Sequence, residues 1–286
     1  MGKSLPQHQL DTGAGTSGVA ARPMHRAIYI ARKVPEITAL FWVVKLLSTA
    51  LGESTSDYLI FNFPGLPQRE GEYAAVIVCG VGLVVALALQ FLVRRYIAWV
   101  YWFAVVMVAV FGTMAADVMH VVLRVPYLDS TILFSSCLVV VFVAWYLVER
   151  TLSIHSIDTP RRELFYWATV MATFALGTAA GDMTASTLRL GYFGSALLFT
   201  GLFILPGLAY WLLGLNSIAA FWIAYVITRP LGASFADWFG KPQEITGLGF
   251  GDGKVALVLT VAIVIAVAYL AFTRVDVKDD AAHPHR

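Results

Sequence analysis

The chain is 286 residues long, 59% apolar and 13% charged, with a net charge of +2 and a mean hydropathy of +0.74. A soluble domain carries about twice that share of charged residues, so composition excludes an ordinary soluble fold, and the near-neutral charge gives no argument for a nucleic-acid partner. Cys79 and Cys137 both sit in apolar runs, which indicates neither a disulfide framework nor a cysteine-based metal motif.

Residues 1–32 are polar, contain Gly and Ser, and carry Lys3, Arg22, Arg26 and Arg32. They lack the apolar stretch and cleavage site of a secretory signal and read as a disordered cytosolic tail. A membrane domain follows at 33–274. Residues 73–93, 130–148, 194–213 and 255–273 have no acidic or basic side chain, and each approaches the roughly 20 residues that cross a bilayer's hydrocarbon core. Between them lie equally long segments at 35–59, 96–123, 164–188 and 218–239 that contain acids. The predicted fold is therefore all-α. Eight transmembrane helices form four parallel two-helix repeats (about 34–94, 95–154, 162–215 and 216–274) in a pseudo-symmetric bundle. Residues 275–286, with His283 and His285, read as a solvated cytosolic tail.

The acid-bearing helices share one pattern: an aromatic-Trp pair, Gly ten residues after the Trp, and Asp five after the Gly. The copies are Trp42-Gly52-Asp57, Trp102-Gly112-Asp117, Trp167-Gly177-Asp182 and Trp222-Gly232-Asp237, and a small residue always precedes the Asp. Gly52, Gly112, Gly177 and Gly232, each with a small residue four later, predict close packing of the four motif helices, with the apolar helices outside. Lys/Arg asymmetry places both termini in the cytoplasm, so all four motif helices run outward. Each Trp then marks the cytoplasmic boundary, Gly lies about 15 Å deeper and Asp about 7 Å beyond that.

An acid deep in a bilayer costs several kcal/mol unless it faces a cavity or a partner, and four in one register point to a site. Steps of four residues define the stripe that shares a helix face with each Asp. From Asp57 they give Glu53, Thr49 and Lys45; from Asp117, Thr113 and Ala109; from Asp182, Thr178 and Phe174; from Asp237, Ala233, Arg229 and Tyr225. His120 shares the face of Asp117, and Pro230 removes a backbone hydrogen bond beside Arg229. Five acids (Glu53, Asp57, Asp117, Asp182, Asp237) against Lys45 and Arg229 leave a formal −3 with His120 neutral, an excess that calls for a cation or protons. The glycine run at 247–253 fails the phosphate-loop spacing, because Val255 follows Lys254; it reads as a flexible outer loop. No Ser/His/Asp set, His-Glu-x-x-His motif or redox Cys pair occurs.

The segment Lys33-Val-Pro-Glu-Ile-Thr, followed by Phe41-Trp42, Lys45, Thr49 and Gly52-Glu53-x-x-x-Asp57, resembles a bacterial integral-membrane family built of four tandem copies of a repeat of unknown function. The likeness covers about residues 33–274 and implies a multi-pass inner-membrane protein, without naming a substrate. The residues themselves favour a transporter of a small cation. Carboxylate and hydroxyl oxygens suit hard divalent ions such as Mn, Mg or Ca, and Mn-type efflux is the first case to test. Asp57, Asp117, Asp182 and Asp237 are the candidate metal ligands, helped by Glu53, Thr113 and Thr178, with Lys45 and Arg229 competing for the acids and Glu53 or His120 exchanging protons. No cofactor is expected beyond the cation as substrate, and the lipid bilayer is the expected partner. One alternative is a membrane scaffold without transport, in which the acids pair with Lys45, Arg229 and helix ends; another is an intramembrane enzyme acting on a lipid or quinone.

Overall fold

The computed structural model describes residues 33–277, so the expectations for residues 1–32 and for His283 and His285 lie outside the described residues. The described chain is helical and contains no strand. Eight long helices follow one another: α1 Ala39–Asn62, α2 Gln68–Leu92, α3 Ala98–Asp117, α4 Tyr127–Glu149, α5 Pro160–Asp182, α6 Gly191–Leu213, α7 Ser217–Gly240 and α8 Asp252–Thr273. Their bounds fall within a few residues of the predicted segments. Local chemistry sets the ends. Thr38 and Asn216 accept from the first free amides of α1 and α7, and Thr159 with Pro160 opens α5. Left-handed Arg150, Gly214 and Arg274 close α4, α6 and α8.

Seven helices, α2 to α8, are long and apolar enough to cross a membrane, and the protein is a multi-pass membrane protein. α1 falls below that apolarity because it carries Lys45, Glu53 and Asp57. It is also well enclosed, packing against α2, α3, α7 and α8.

The four motif helices α1, α3, α5 and α7 form a closed ring, each touching the next and α7 returning to α1. More than half of each span in α3, α5 and α7 is buried, against 28% or less in α2, α4, α6 and α8. The glycines make the ring possible. A Cβ on Gly52 would meet Ala109, on Gly112 Phe174, on Gly177 Arg229, and on Gly232 Thr49. Each of these partners stands three residues before the glycine of its own repeat, so one contact recurs round the ring.

Within the repeats α1 packs on α2 and α7 on α8, whereas α3 with α4 and α5 with α6 make little direct contact. α4 lies on α5, α6 on α7, α8 on α1, and α2 more extensively on α3 than on α1. Each outer helix thus covers the motif helix of the next repeat, and α8 closes the ring on α1. At the closure, Lys33 Nζ donates to Glu163 Oε2 at 2.6 Å and to the Phe91 carbonyl at 3.2 Å, while Gln90 donates to Glu163 Oε1 at 3.0 Å. Asp276 is buried, accepts from the Tyr96 hydroxyl, and its carbonyl accepts from the Glu36 amide at 2.9 Å. Burial raises the Asp276 carboxyl above its ordinary range. The first residues of the predicted C-terminal tail therefore belong to the folded body.

The tryptophans also depart from expectation. Trp102, Trp167 and Trp222 are buried instead of marking a lipid boundary. Their neighbours Phe41, Tyr101, Tyr166 and Phe221 share the inward stripe, because each stands sixteen residues before its Asp. Tyr101 and Tyr166 bond through their hydroxyls at 2.5 Å, and Phe41 packs on Phe221 and Trp102. A bulky aromatic at this position fills the bundle's centre, so one end of the ring is plugged.

Candidate functional site

Moving from the plug along the ring's axis, the stripe builds successive layers. The first contains Lys45, Val105, Val170 and Tyr225, all fully or almost fully buried. The Lys45 ammonium does not snorkel. It lies 4.2 Å from the Phe174 ring centre and 4.1 Å from that of Tyr225, with no hydrogen-bond partner among the described residues. Two cation–π contacts, about 2 kcal/mol each where desolvated, offset only part of the cost of burying an ammonium without an anion. Lys45→Met is therefore expected to raise the unfolding temperature in detergent; a fall would show that Lys45 has a stabilising partner.

The next two layers carry the central lock. Arg229, from α7, is completely buried. Its Nη2 donates to Glu53 Oε2 at 2.6 Å, to Thr178 Oγ1 at 2.6 Å and to Thr113 Oγ1, and its Nη1 donates to the Thr49 carbonyl at 3.2 Å. One guanidinium thus ties α7 to α1, α3 and α5. The Thr178 hydroxyl donates to Glu53 Oε2 at 3.3 Å, whereas that of Thr113 lies 3.5 Å from the same oxygen and donates at 3.0 Å to the Ala109 carbonyl. Helix α7 runs unbroken through Pro230, whose ring and the Arg229 stem occupy the space that Gly177 leaves open.

The aspartates form the last layer. Asp57 and Asp237 are buried; Asp117 and Asp182 are half-buried. Glu53, Asp57 and Asp237 each offer a carboxylate oxygen, and these three atoms lie within 4.8 Å of one another. Asp117 accepts from Ser56 Oγ at 2.9 Å, which ties α3 to α1. Asp117 and Asp182 are not in the close group. Just beyond each, the helix widens into a π turn, Val118–Val122 and Met183–Thr187, a feature common at functional sites. His120 sits in the first turn, with its ring nitrogens on the Val125 carbonyl at 2.9 Å and the Ser130 hydroxyl at 3.2 Å, and its ring against Tyr127. These contacts direct it to the α3–α4 link.

The chain's relatives bear on this arrangement. A family model described as Repeat of Unknown Function (DUF347) matches four times, at residues 40–96, 100–151, 165–214 and 220–276. The chain belongs to this family. Each DUF347 copy contains one Trp, one Gly and one Asp of the pattern, so the ring glycines and acids are the repeat's own. Lys45, Glu53 and Arg229 each stand in one copy only. No curated protein and no solved structure matches the chain.

Two residues at the site escaped the sequence reading. Lys241 Nζ donates to Asp57 Oδ2 at 2.5 Å and lies 3.9 Å from Asp237 and 3.8 Å from Asp252. Burial opposes its charge, but Asp57, Asp237 and Asp252 outweigh that and raise the ammonium above the ordinary lysine range. One more step of four beyond Asp237 finds Lys241 on the stripe. Asp252 has no such signal, because the glycine-rich loop separates it from the motif. That loop is pinned, contrary to expectation. The amides of Leu248, Phe250 and Gly251 donate to the carbonyls of Trp238, Phe239 and Gly240, capping the end of α7 that otherwise lacks partners.

Proposed function

We propose that this protein carries a small cation, first of all a divalent metal ion, across the bacterial inner membrane. The observation that supports this is the meeting of Glu53, Asp57 and Asp237, three buried carboxylates with oxygens within 4.8 Å of one another. Carboxylates so placed repel one another and are shielded from bulk solvent, so they favour a cation, protons or fixed bases. Oxygen-only ligands suit Mn, Mg or Ca. In this reading α1 spans the membrane with the other seven helices, shielded by its neighbours, and the four repeats form a pseudo-fourfold bundle around one pathway. Arginine and lysine asymmetry puts both termini and the aromatic plug on the cytoplasmic side, with the aspartate layer in the outer half.

The bases give the acids a partner when no cation is present. Arg229 holds Glu53 and Lys241 holds Asp57. A cation entering among Glu53, Asp57 and Asp237 competes with both. Asp117 and Asp182, with Thr113 and Thr178, add oxygens along the same axis. The two ion pairs also favour the rival reading, a scaffold in which the acids are satisfied permanently.

Flux separates the readings. Purified protein is reconstituted into liposomes containing a divalent-sensitive dye, and Mn, Mg, Ca and Zn ions are added outside. Loss of one charged ligand worth about 1.4 kcal/mol weakens cation binding about tenfold, so with ions added below Kd Asp57→Asn and Asp237→Asn are each expected to lose at least that factor in flux. Parent protein that moves none of these ions, or variants as fast as the parent, would leave the scaffold as the better account.

A further inference from the structure

The segment from Lys241 to Asp252 is the part of the site that the repeat pattern does not explain. Its glycines have a specific spatial use. A Cβ on Gly247 would lie 2.5 Å from the Lys241 carbonyl carbon, one on Gly253 would lie 2.8 Å from the Tyr58 ring, and one on Gly240 would run into Asp252. Gly249 and Gly251 have φ of 78° and 87°, which L side chains rarely adopt. The loop therefore lies flat against the end of α7 and delivers Asp252 to Lys241. Thr246 fastens it to α6 by accepting from the Tyr192 amide at 3.1 Å.

Three acids lie within 4 Å of the Lys241 ammonium, and Asp182 also feels its charge. α1 presents Asp57 at 2.5 Å, α7 presents Asp237 at 3.9 Å, and the start of α8 presents Asp252 at 3.8 Å. The Phe61 ring of α1 lies 5.7 Å away. The ammonium is bonded to Asp57, one of the three gathered acids. Asp252 is the more exposed acid, with a side chain 16% accessible against 7% for Asp57, and its Oδ1 is buried without a hydrogen-bond partner among the described residues. A second partner for the ammonium thus stands within reach, already 3.8 Å away.

We propose that Lys241 is a tethered plug for the acid cluster: its ammonium holds Asp57 while the site is empty, and a cation loads the site as Lys241 moves to Asp252. The idea rests on the cation reading above, and it assigns Lys241 and Asp252 opposite effects on binding. Lys241 is a competitor, so removing its charge strengthens cation binding. Asp252 receives the competitor, so removing its charge weakens binding. A structural tie between α7 and α8 would instead make both substitutions damaging.

The test is calorimetric titration of Mn ions into the purified full-length protein in detergent. Lys241→Gln is expected to lower Kd about tenfold, Lys241→Arg to bind no tighter than the parent, and Asp252→Asn to bind more weakly. Amine labelling of the unaltered protein, read by mass spectrometry, is expected to rise at Lys241 when Mn saturates the site, and this readout needs no variant to fold. If the parent binds Mn, Asp57→Asn abolishes binding, and Lys241→Gln binds no tighter with unchanged labelling, the plug is overturned while the cation site stands. If neither the parent nor Lys241→Gln binds, the cation reading fails and the plug with it.

Discussion

Replacing Arg229 by methionine is expected to cost about 3–5 kcal/mol of stability, the usual penalty for leaving one half of a buried ion pair behind. The guanidinium is fully buried and reaches Glu53, Thr113, Thr178 and the Thr49 carbonyl, which belong to three other helices. Without it, Glu53 keeps a buried charge facing two threonine hydroxyls. Removing the acid as well, in Arg229→Met with Glu53→Gln, is expected to recover much of the loss, because a neutral amide needs only the hydrogen bonds that those threonines supply. Arg229→Lys should fall between, since an ammonium lacks the planar fork that serves several acceptors at once. Unfolding of the parent, both single variants and the double variant in one detergent gives the coupling directly. Additive losses would mean that the pair does not hold the ring together.

The ring glycines give the second large effect, and its sign is the informative part. At Gly177 a new Cβ would lie 2.5 Å from Arg229 Cβ and 2.9 Å from the Pro230 ring. Neither neighbour has a free end to move aside, so Gly177→Ala should lose about 1–3 kcal/mol by overpacking, more than the ~1 kcal/mol that alanine gains in helix propensity. Gly201, inside α6, has nothing within 4 Å of its Cβ position. Gly201→Ala should therefore be neutral or stabilising by up to ~1 kcal/mol. Opposite shifts in unfolding temperature would establish that close approach, not glycine content, holds the motif helices. Equal shifts would refute it.

Much of this arrangement is legible in the chain because it is periodic. Apolar stretches without charge place the outer helices, and the Trp-Gly-Asp spacing places the motif helices. Steps of four from each Asp name the residues that the fold turns to one axis, Glu53, Thr113, Thr178 and Arg229 among them. Contacts between distant segments leave no such trace. Nothing local tells α4 to lie on α5 instead of α3, since an evenly apolar helix has no preferred face to read. The tryptophans mislead for a related reason: an indole suits both a lipid boundary and a core, and only the ring's aromatic filling decides. Asp252 reaches the site through glycines whose purpose, bringing the loop flat against α7, becomes visible only in three dimensions.

The central claim is that Glu53, Asp57 and Asp237 coordinate a cation. It is tested most directly by diffraction from crystals of the full-length protein grown with Mn ions, with data collected at the Mn absorption edge. The account predicts an anomalous peak among those three carboxylates, with Lys241 drawn away from Asp57. Well-ordered carboxylates with no anomalous peak between them, and Arg229 and Lys241 still paired as described, would contradict it.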